Sequence, residues 1–132
     1  MLNSQNQLRR LNFRCALVIV EEYDLRSFII QLLRERGWLV HGIRQTEQAL
    51  SLLAHIPYEL VIIDCEVSEV ARMHYMRRLQ NARRWLTIKV VFVSSSQITG
   101  FASDLPERGA FLARKSRWED DLCEYLSAYD EG

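Results

Sequence analysis

The feature that most constrains the fold is a set of four short, largely apolar runs, each followed directly by polar side chains. Residues 17–20 lead into Glu21 and Glu22, 60–63 into Asp64, 90–93 into Ser94, and 111–114 into Lys115. Such runs are typical of strands buried on both faces of a parallel sheet, whose ligands bind outside the carboxyl ends of the strands. The pattern therefore predicts one edge where carboxylates, a hydroxyl and an ammonium meet. Together these groups could hold a divalent cation and a phosphoryl group.

Length, charge and cysteine content fit one reduced, cytoplasmic domain. The chain has 132 residues and a formal net charge of zero, which gives no general attraction to nucleic acid or anionic membrane. Cys15, Cys65 and Cys123 form no CxxC pair. Apolar runs stay well short of the roughly 18 residues that span a bilayer, and the polar start is not a signal peptide. We therefore predict a cytoplasmic protein without a membrane partner.

The first half of the chain contains two predicted helices around a second strand. The first helix begins near Asp24 and ends at Gly37, and its apolar residues recur at helical spacing. They are Leu25, Phe28, Ile29, Leu32 and Leu33. Residues 38–43 are predicted to form a strand, and a second helix is predicted from Thr46 to near Pro57.

The second half continues the alternation of strands and helices. A helix with arginines on its surface is predicted after Asp64, a weaker one over 97–108, and a last one after Lys115. The inward positions predicted for the last helix are Trp118, Leu122, Leu126 and Tyr129. Alternating strands and helices with short connections favour an α/β domain, a parallel sheet covered on both faces. We assign 1–13 to a polar N-terminal leader and 14–130 to this domain.

Several short motifs occur in a characteristic order. They are Thr46-Glu47-Gln48-Ala49-Leu50, the segment 57–64 ending in Asp64, Val91-Phe92-Val93-Ser94-Ser95, and Gly109-Ala110 ahead of a lysine. Over residues 14–130 the chain thereby resembles the receiver domain of bacterial two-component response regulators. The resemblance implies a flavodoxin-like, doubly wound, five-stranded parallel sheet in the order 2-1-3-4-5 with five helices. Helices 1 and 5 are expected on one face and helices 2 to 4 on the other.

The resemblance also implies a chemistry. A sensor histidine kinase or phosphotransfer protein would donate a phosphoryl group to Asp64, so the domain is a signalling phosphoprotein rather than an enzyme. Magnesium would offset the charge on the phosphoryl oxygens. The implied metal ligands are Glu21, Glu22, Asp64 and Glu66, the phosphoryl-binding residues are Ser94 and Lys115, and the switch residues are Ser94 and Phe111. A homodimer is possible, and direct contact with nucleic acid is not expected.

Two alignment questions stay open at this point. Without a gap, Val20 and Glu21 take the places of the usual acidic pair, whereas a one-residue deletion would make the pair Glu21 and Glu22. Because the ungapped alignment includes Glu21 and excludes Glu22, we favour Glu21 over Glu22 as a metal ligand. The second question concerns the loop before Lys115, which is one residue short, so Arg114 could take the place of the lysine.

Two other functional classes are considered beside a working receiver. A pseudo-receiver, which would act as an interaction module without phosphorylation, is favoured by Val20 and by the replacement of a usual Pro and Gly by Ser68 and Arg72. An enzyme or nucleotide-binding protein of similar topology is disfavoured, because the sequence has no GxGxxG motif, P-loop or nucleophile elbow. No output domain is predicted within these 132 residues. The chain is thus either a single-domain regulator or a segment of a longer protein.

Overall fold

The structure is a computed structural model that describes residues 14–64, 88–94, 100–101 and 111–131. The predicted leader and the helix predicted directly after Asp64 lie outside these described residues. So does Glu66, one of the predicted metal ligands.

One sheet contains all strands of the described residues. They are β1 (Arg14–Ile19), β2 (Trp38–Ile43), β3 (Leu60–Asp64), β4 (Lys89–Ser94), β5 (Gly100–Phe101) and β6 (Phe111–Arg114). The order across the sheet is β2-β1-β3-β4-β6-β5, and the first five strands in this order pair in parallel. The prediction of a five-stranded parallel sheet in the order 2-1-3-4-5 is confirmed, with β6 as its fifth strand.

The short strand β5 corrects one prediction. Gly100 and Phe101 pair antiparallel with Leu112 and Phe111, so the helix predicted over 97–108 is wrong at these two residues. Glycine disfavours a helix interior by about 1 kcal/mol relative to alanine, and the apolar period is weak in this stretch. Pairing with β6 satisfies backbone groups that the outer edge of the parallel sheet would otherwise leave open.

The described helices are α1 (Tyr23–Glu35), α2 (Thr46–His55) and α3 (Trp118–Glu131), with a 3₁₀ turn at Lys115–Arg117. Helix α1 buries Leu25, Ile29 and Leu33. Gly37 lies two residues after its end, and its φ of 90° falls in the left-handed region that glycine enters without a side-chain clash. Phe28, predicted to face inward, is 56% exposed, because the buried stripe is centred on the i, i+4, i+8 row.

The two faces of the sheet carry separate apolar clusters. Alternate residues of each strand point to opposite faces of the sheet. Because both faces are covered, the central strands β1, β3 and β4 are buried on both. Helices α1 and α3 pack on the face that contains Val18, Ile62 and Val91. Helix α2 packs on the opposite face, around Phe92. Helices α1, α2 and α3 correspond to helices 1, 2 and 5 of the predicted fold. The predicted distribution of helices over the two faces is confirmed for these three helices.

Helix α3 differs from its prediction in which residues face the sheet. Leu122 and Leu126 are buried as predicted, but Asp121 and Tyr125 are buried as well. A buried helix stripe at 3.6 residues per turn is wide enough to include the i+3 positions beside the i+4 positions.

Within the described residues, no helix is both long enough and apolar enough to cross a membrane.

Candidate functional site

Polar residues lie at the carboxyl ends of three neighbouring strands. Asp64 is the last residue of β3 and pairs in register with Val93 of β4. Ser94 follows at the end of β4, opposite Arg114, and Lys115 comes directly after β6. The topology therefore brings Asp64, Ser94 and Lys115 to the same edge of the sheet, as the sequence pattern predicts for a parallel arrangement.

An ion pair at this edge joins Asp64 to Lys115. The ammonium Nζ of Lys115 lies 3.5 Å from Oδ2 of Asp64, and their side chains are 28% and 9% exposed. Partial burial lowers the local dielectric and makes this attraction stronger than that of a fully exposed pair. The other carboxylate oxygen, Oδ1, is buried and accepts no hydrogen bond from the described residues. The geometry thus places a carboxylate and a compact cation side by side at the strand ends.

The neighbouring Arg114 points elsewhere. Its Nε and Nη2 donate to Oδ2 and Oδ1 of Asp121 at 3.0 and 2.8 Å. These side-chain hydrogen bonds to Asp121 raise the pKa of Arg114 above its ordinary value. The backbone N–H of Arg114 also donates to Oδ2 of Asp121, at 2.8 Å. Because the Arg114 guanidinium is engaged by helix α3, Lys115 is the cation that lies beside Asp64.

The loop after β1 contains the predicted acidic residues. Glu21 and Glu22 are exposed, whereas Val20 is fully buried in the core and takes no part in a polar site. Arg26 was not predicted from the sequence to have a role here. Its Nη1 donates to the carbonyl oxygens of Val20 and Glu21 at 2.8 and 3.1 Å, which fixes the backbone from which the Glu21 side chain projects.

The donor types at this edge fit Mg²⁺, although they are not gathered into a complete metal cage. Among the described residues, no three His, Cys, Asp or Glu side chains lie close enough together to hold a metal ion. Mg²⁺ commonly uses only one or two carboxylates and completes its shell with water and phosphate oxygens. Asp64 at the end of β3 and the exposed Glu21 or Glu22 in the loop after the neighbouring strand β1 supply carboxylates of this kind.

Comparison with known proteins bears on this arrangement. No family model and no curated protein sequence matches the chain. Solved structures do match. One is the CheY-like response regulator receiver domain from Methylobacillus flagellatus, with a TM-score of 0.67 and 21% identity over 88% of this chain and 98% of that chain. The chain has the fold of response regulator receiver domains.

Two further matching structures are complexes, one with a partner protein and one with small ligands. One match is to the complex of histidine kinase ThkA with response regulator protein TrrA, with a TM-score of 0.65 and 18% identity over 87% of this chain and 97% of that chain. The other is the receiver domain of histidine kinase CKI1 from Arabidopsis thaliana, complexed with Mg²⁺ and BeF₃⁻. Its TM-score is 0.58, with 16% identity over 86% of this chain and 90% of that chain. At identities this low, the structural matches establish the receiver fold alone.

The two predicted switch residues of this receiver fold lie on β4 and β6. Ser94 is 4% exposed at the end of β4. Phe111, the first residue of β6, is half-buried, and its ring centroid lies 4.9 Å from that of Tyr125 on α3. Helix α3 therefore contacts β6 at both ends, through Tyr125 at Phe111 and through Asp121 at Arg114.

The burial of Tyr125 gives the domain a predicted alkaline sensitivity. Burial raises the pKa of Tyr125 from its ordinary value of 10 to about 12. A phenol with a raised pKa in the folded state contributes its full stability below pH 10 and loses it as the pH rises towards 12. The free energy of unfolding of the wild type should therefore fall more steeply between pH 10 and 12 than that of Tyr125→Phe. Denaturant titrations at pH 8 and pH 11 measure the loss of unfolding free energy between these two pH values. An equal loss in wild type and Tyr125→Phe would contradict the prediction.

Proposed function

We propose that this domain accepts a phosphoryl group on Asp64 from a sensor histidine kinase or a phosphotransfer protein. The observation that carries the proposal is the 3.5 Å contact between Asp64 and Lys115 at the carboxyl edge of the sheet. A carboxylate next to an ammonium is the pair that a phosphoaspartate site needs. The carboxylate supplies the nucleophile and the ammonium binds an oxygen of the transferred group.

The transfer is a single displacement at phosphorus. A carboxylate oxygen of Asp64 attacks the phosphorus of a phosphohistidine, and an O–P bond forms as the P–N bond breaks. The electron pair of that bond leaves with the donor imidazole. During the transfer Lys115 binds one phosphoryl oxygen, and the Ser94 hydroxyl donates a hydrogen bond to another. Both contacts offset negative charge that would otherwise repel the carboxylate nucleophile.

Magnesium is the proposed cofactor of this step, held by Asp64 and Glu21, with Glu22 and Glu66 as the other candidate ligands. When bound, the ion neutralises charge on the phosphoryl oxygens. The Mg²⁺ and BeF₃⁻ present in the CKI1 receiver structure support this choice of cofactor. Arg26 has a supporting role in the proposal, because it holds the carbonyl oxygens of Val20 and Glu21 and so fixes the loop that carries the acid.

The output of the domain is proposed to be a change in its surface. Phosphorylation at Asp64 would draw the Ser94 hydroxyl towards the phosphoryl group and let Phe111 shift inward, which alters the surface around β6. A downstream protein or a second copy of this domain would read the altered surface. The complex of ThkA with TrrA supports a histidine kinase as the partner class, and we propose that the exchange takes place in the cytoplasm.

A phosphorylation-independent interaction module is the second candidate. Val20 favours it, because a fully buried valine occupies one of the two positions that the ungapped alignment assigns to the acidic pair. In that case, the Asp64–Lys115 pair would stabilise the fold and would not receive a phosphoryl group.

Calorimetric titration with Mg²⁺ and beryllofluoride, a phosphoryl mimic, tests the proposal. Wild-type protein should bind beryllofluoride only when Mg²⁺ is present. Clustered carboxylates repel one another, and a cation relieves that repulsion. Glu21→Ala should weaken Mg²⁺ binding about tenfold, a loss of ~1.4 kcal/mol. Glu22→Ala, the matched control, should weaken it less. If Glu22→Ala alone abolishes binding, the gapped alignment is correct and Glu22 is the ligand.

A further inference from the structure

The carboxylate of Asp121 binds the residue that immediately precedes Lys115. Asp121 is only 2% exposed, and it accepts hydrogen bonds from the backbone N–H, Nε and Nη2 of Arg114. Two of these bonds form a bidentate, charge-assisted pair, the strongest class of side-chain hydrogen bond. A single buried side chain of α3 therefore fixes both the main chain and the side chain of Arg114.

The position of Arg114 makes this attachment relevant to the candidate site. Arg114 is the last residue of β6, and the 3₁₀ turn that begins with Lys115 follows directly. Lysine has a flexible four-carbon stem and loses rotamer entropy when its head group is held in one place. Fixing the backbone at the base of the side chain limits where the ammonium can reach.

We propose that Asp121 is a positioning residue that holds Lys115 against Asp64 by anchoring Arg114. Its relevance to phosphoryl transfer rests on the function proposed above, whereas its effect on the Lys115–Asp64 contact is a property of the folded domain alone. The neighbouring pair Arg117–Asp120 is 2.9 Å long, and its side chains are 59% and 69% exposed. It lies beside the same turn without a buried anchor, and so provides a matched control.

The reactivity of Lys115 towards an amine-acylating reagent measures its position directly. The chain contains only two lysines, Lys89 and Lys115, so peptide mass spectrometry resolves both, with the exposed Lys89 as internal reference. Asp121→Asn should raise the acylation rate of Lys115 relative to Lys89 about fivefold, which corresponds to ~1 kcal/mol of lost pairing. Asp120→Asn makes the same change of charge one residue away and should leave the ratio unchanged.

A double-mutant cycle separates positioning from general loosening of the fold. Asp64→Asn removes the carboxylate that pairs with Lys115 at 3.5 Å and should itself raise the ratio. If Asp121 acts through the Lys115–Asp64 contact, adding Asp121→Asn to Asp64→Asn should have no further effect. Full additivity of the two substitutions, or an Asp121→Asn ratio equal to that of Asp120→Asn, would overturn the proposal.

A second variant covers the case in which Asp121→Asn does not fold. Arg114→Gln keeps the backbone bond to Asp121 and removes the bidentate pair, so the Lys115 ratio should rise by less than fivefold but above that of Asp120→Asn. An unchanged ratio would contradict the proposal. Acylation needs neither Mg²⁺ nor a phosphodonor. An altered ratio in a protein that cannot be phosphorylated would therefore reject the proposed function while keeping the positioning role of Asp121.

Discussion

Incubation of the folded protein with acetyl phosphate and Mg²⁺ is expected to add one phosphoryl group, and Asp64→Asn is expected to abolish the addition. Asparagine matches aspartate in size but has no carboxylate to attack phosphorus. The phosphoryl group of the product carries roughly two negative charges, which Mg²⁺, Ser94 and Lys115 have to neutralise. Intact-mass spectrometry measures the addition directly, and a thermal melt shows whether the variant is folded.

Ser94→Ala is the informative companion variant. In the proposed mechanism Asp64 forms the bond, whereas Ser94 supplies one of several contacts to the phosphoryl oxygens and senses the product. Ser94→Ala should therefore keep some labelling while weakening the conformational response. Chemical shifts at Phe111 and Tyr125 before and after labelling would report that response. A folded wild type that remains unlabelled would favour the interaction module. Full labelling of Asp64→Asn would show that the acceptor is another residue.

Phe92→Ala is expected to have the largest effect on stability. Phe92 is fully buried on the central strand β4, within the cluster that α2 covers. Removing a buried phenylalanine ring costs about 3–5 kcal/mol, because apolar contacts are lost and a cavity remains. Domains of this size are stable by only about 5–15 kcal/mol. Thermal unfolding should therefore occur roughly 10–20 °C lower, as measured by circular dichroism or calorimetry.

Phe92→Leu is the matched control for this substitution. Leucine keeps most of the apolar volume, so its cost should be well below that of alanine and nearer about 1 kcal/mol. Similar melting temperatures for Phe92→Ala and wild type would mean that the β4 core does not pack as described. A loss from Phe92→Leu as large as that from Phe92→Ala would show that ring shape, and not buried volume, decides stability at this position.

Much of the fold followed from local pattern in the sequence. Unbroken apolar runs such as residues 60–63 can be buried only between two covered faces, and this requirement favours a parallel sheet. The apolar period of α1 and the glycine at its end gave the limits of that helix. Right-handed crossovers then determined on which side of the sheet each described helix packs. These features depend on neighbouring residues and on chirality, and both can be read from a sequence.

Other features depended on contacts between residues distant in the chain. The pairing of Gly100 and Phe101 with β6 was not predicted, because an edge offers its backbone groups to any segment that reaches it. Asp121 belongs to an acidic stretch that resembles an exposed helix start. Its position three residues after Trp118 and four before Tyr125 was the available sign that it faces inward.

At the candidate site, the sequence by itself determined which residue types stand at the strand ends: Asp64, Ser94 and a cation after β6. Only the tertiary structure decided that the cation beside Asp64 is Lys115 and not Arg114. That choice depends on Asp121, which is seven residues from Arg114 and reaches it because α3 folds back along β6. Local pattern records which side chains are available, whereas their pairing depends on which other elements pack against them and remove them from water.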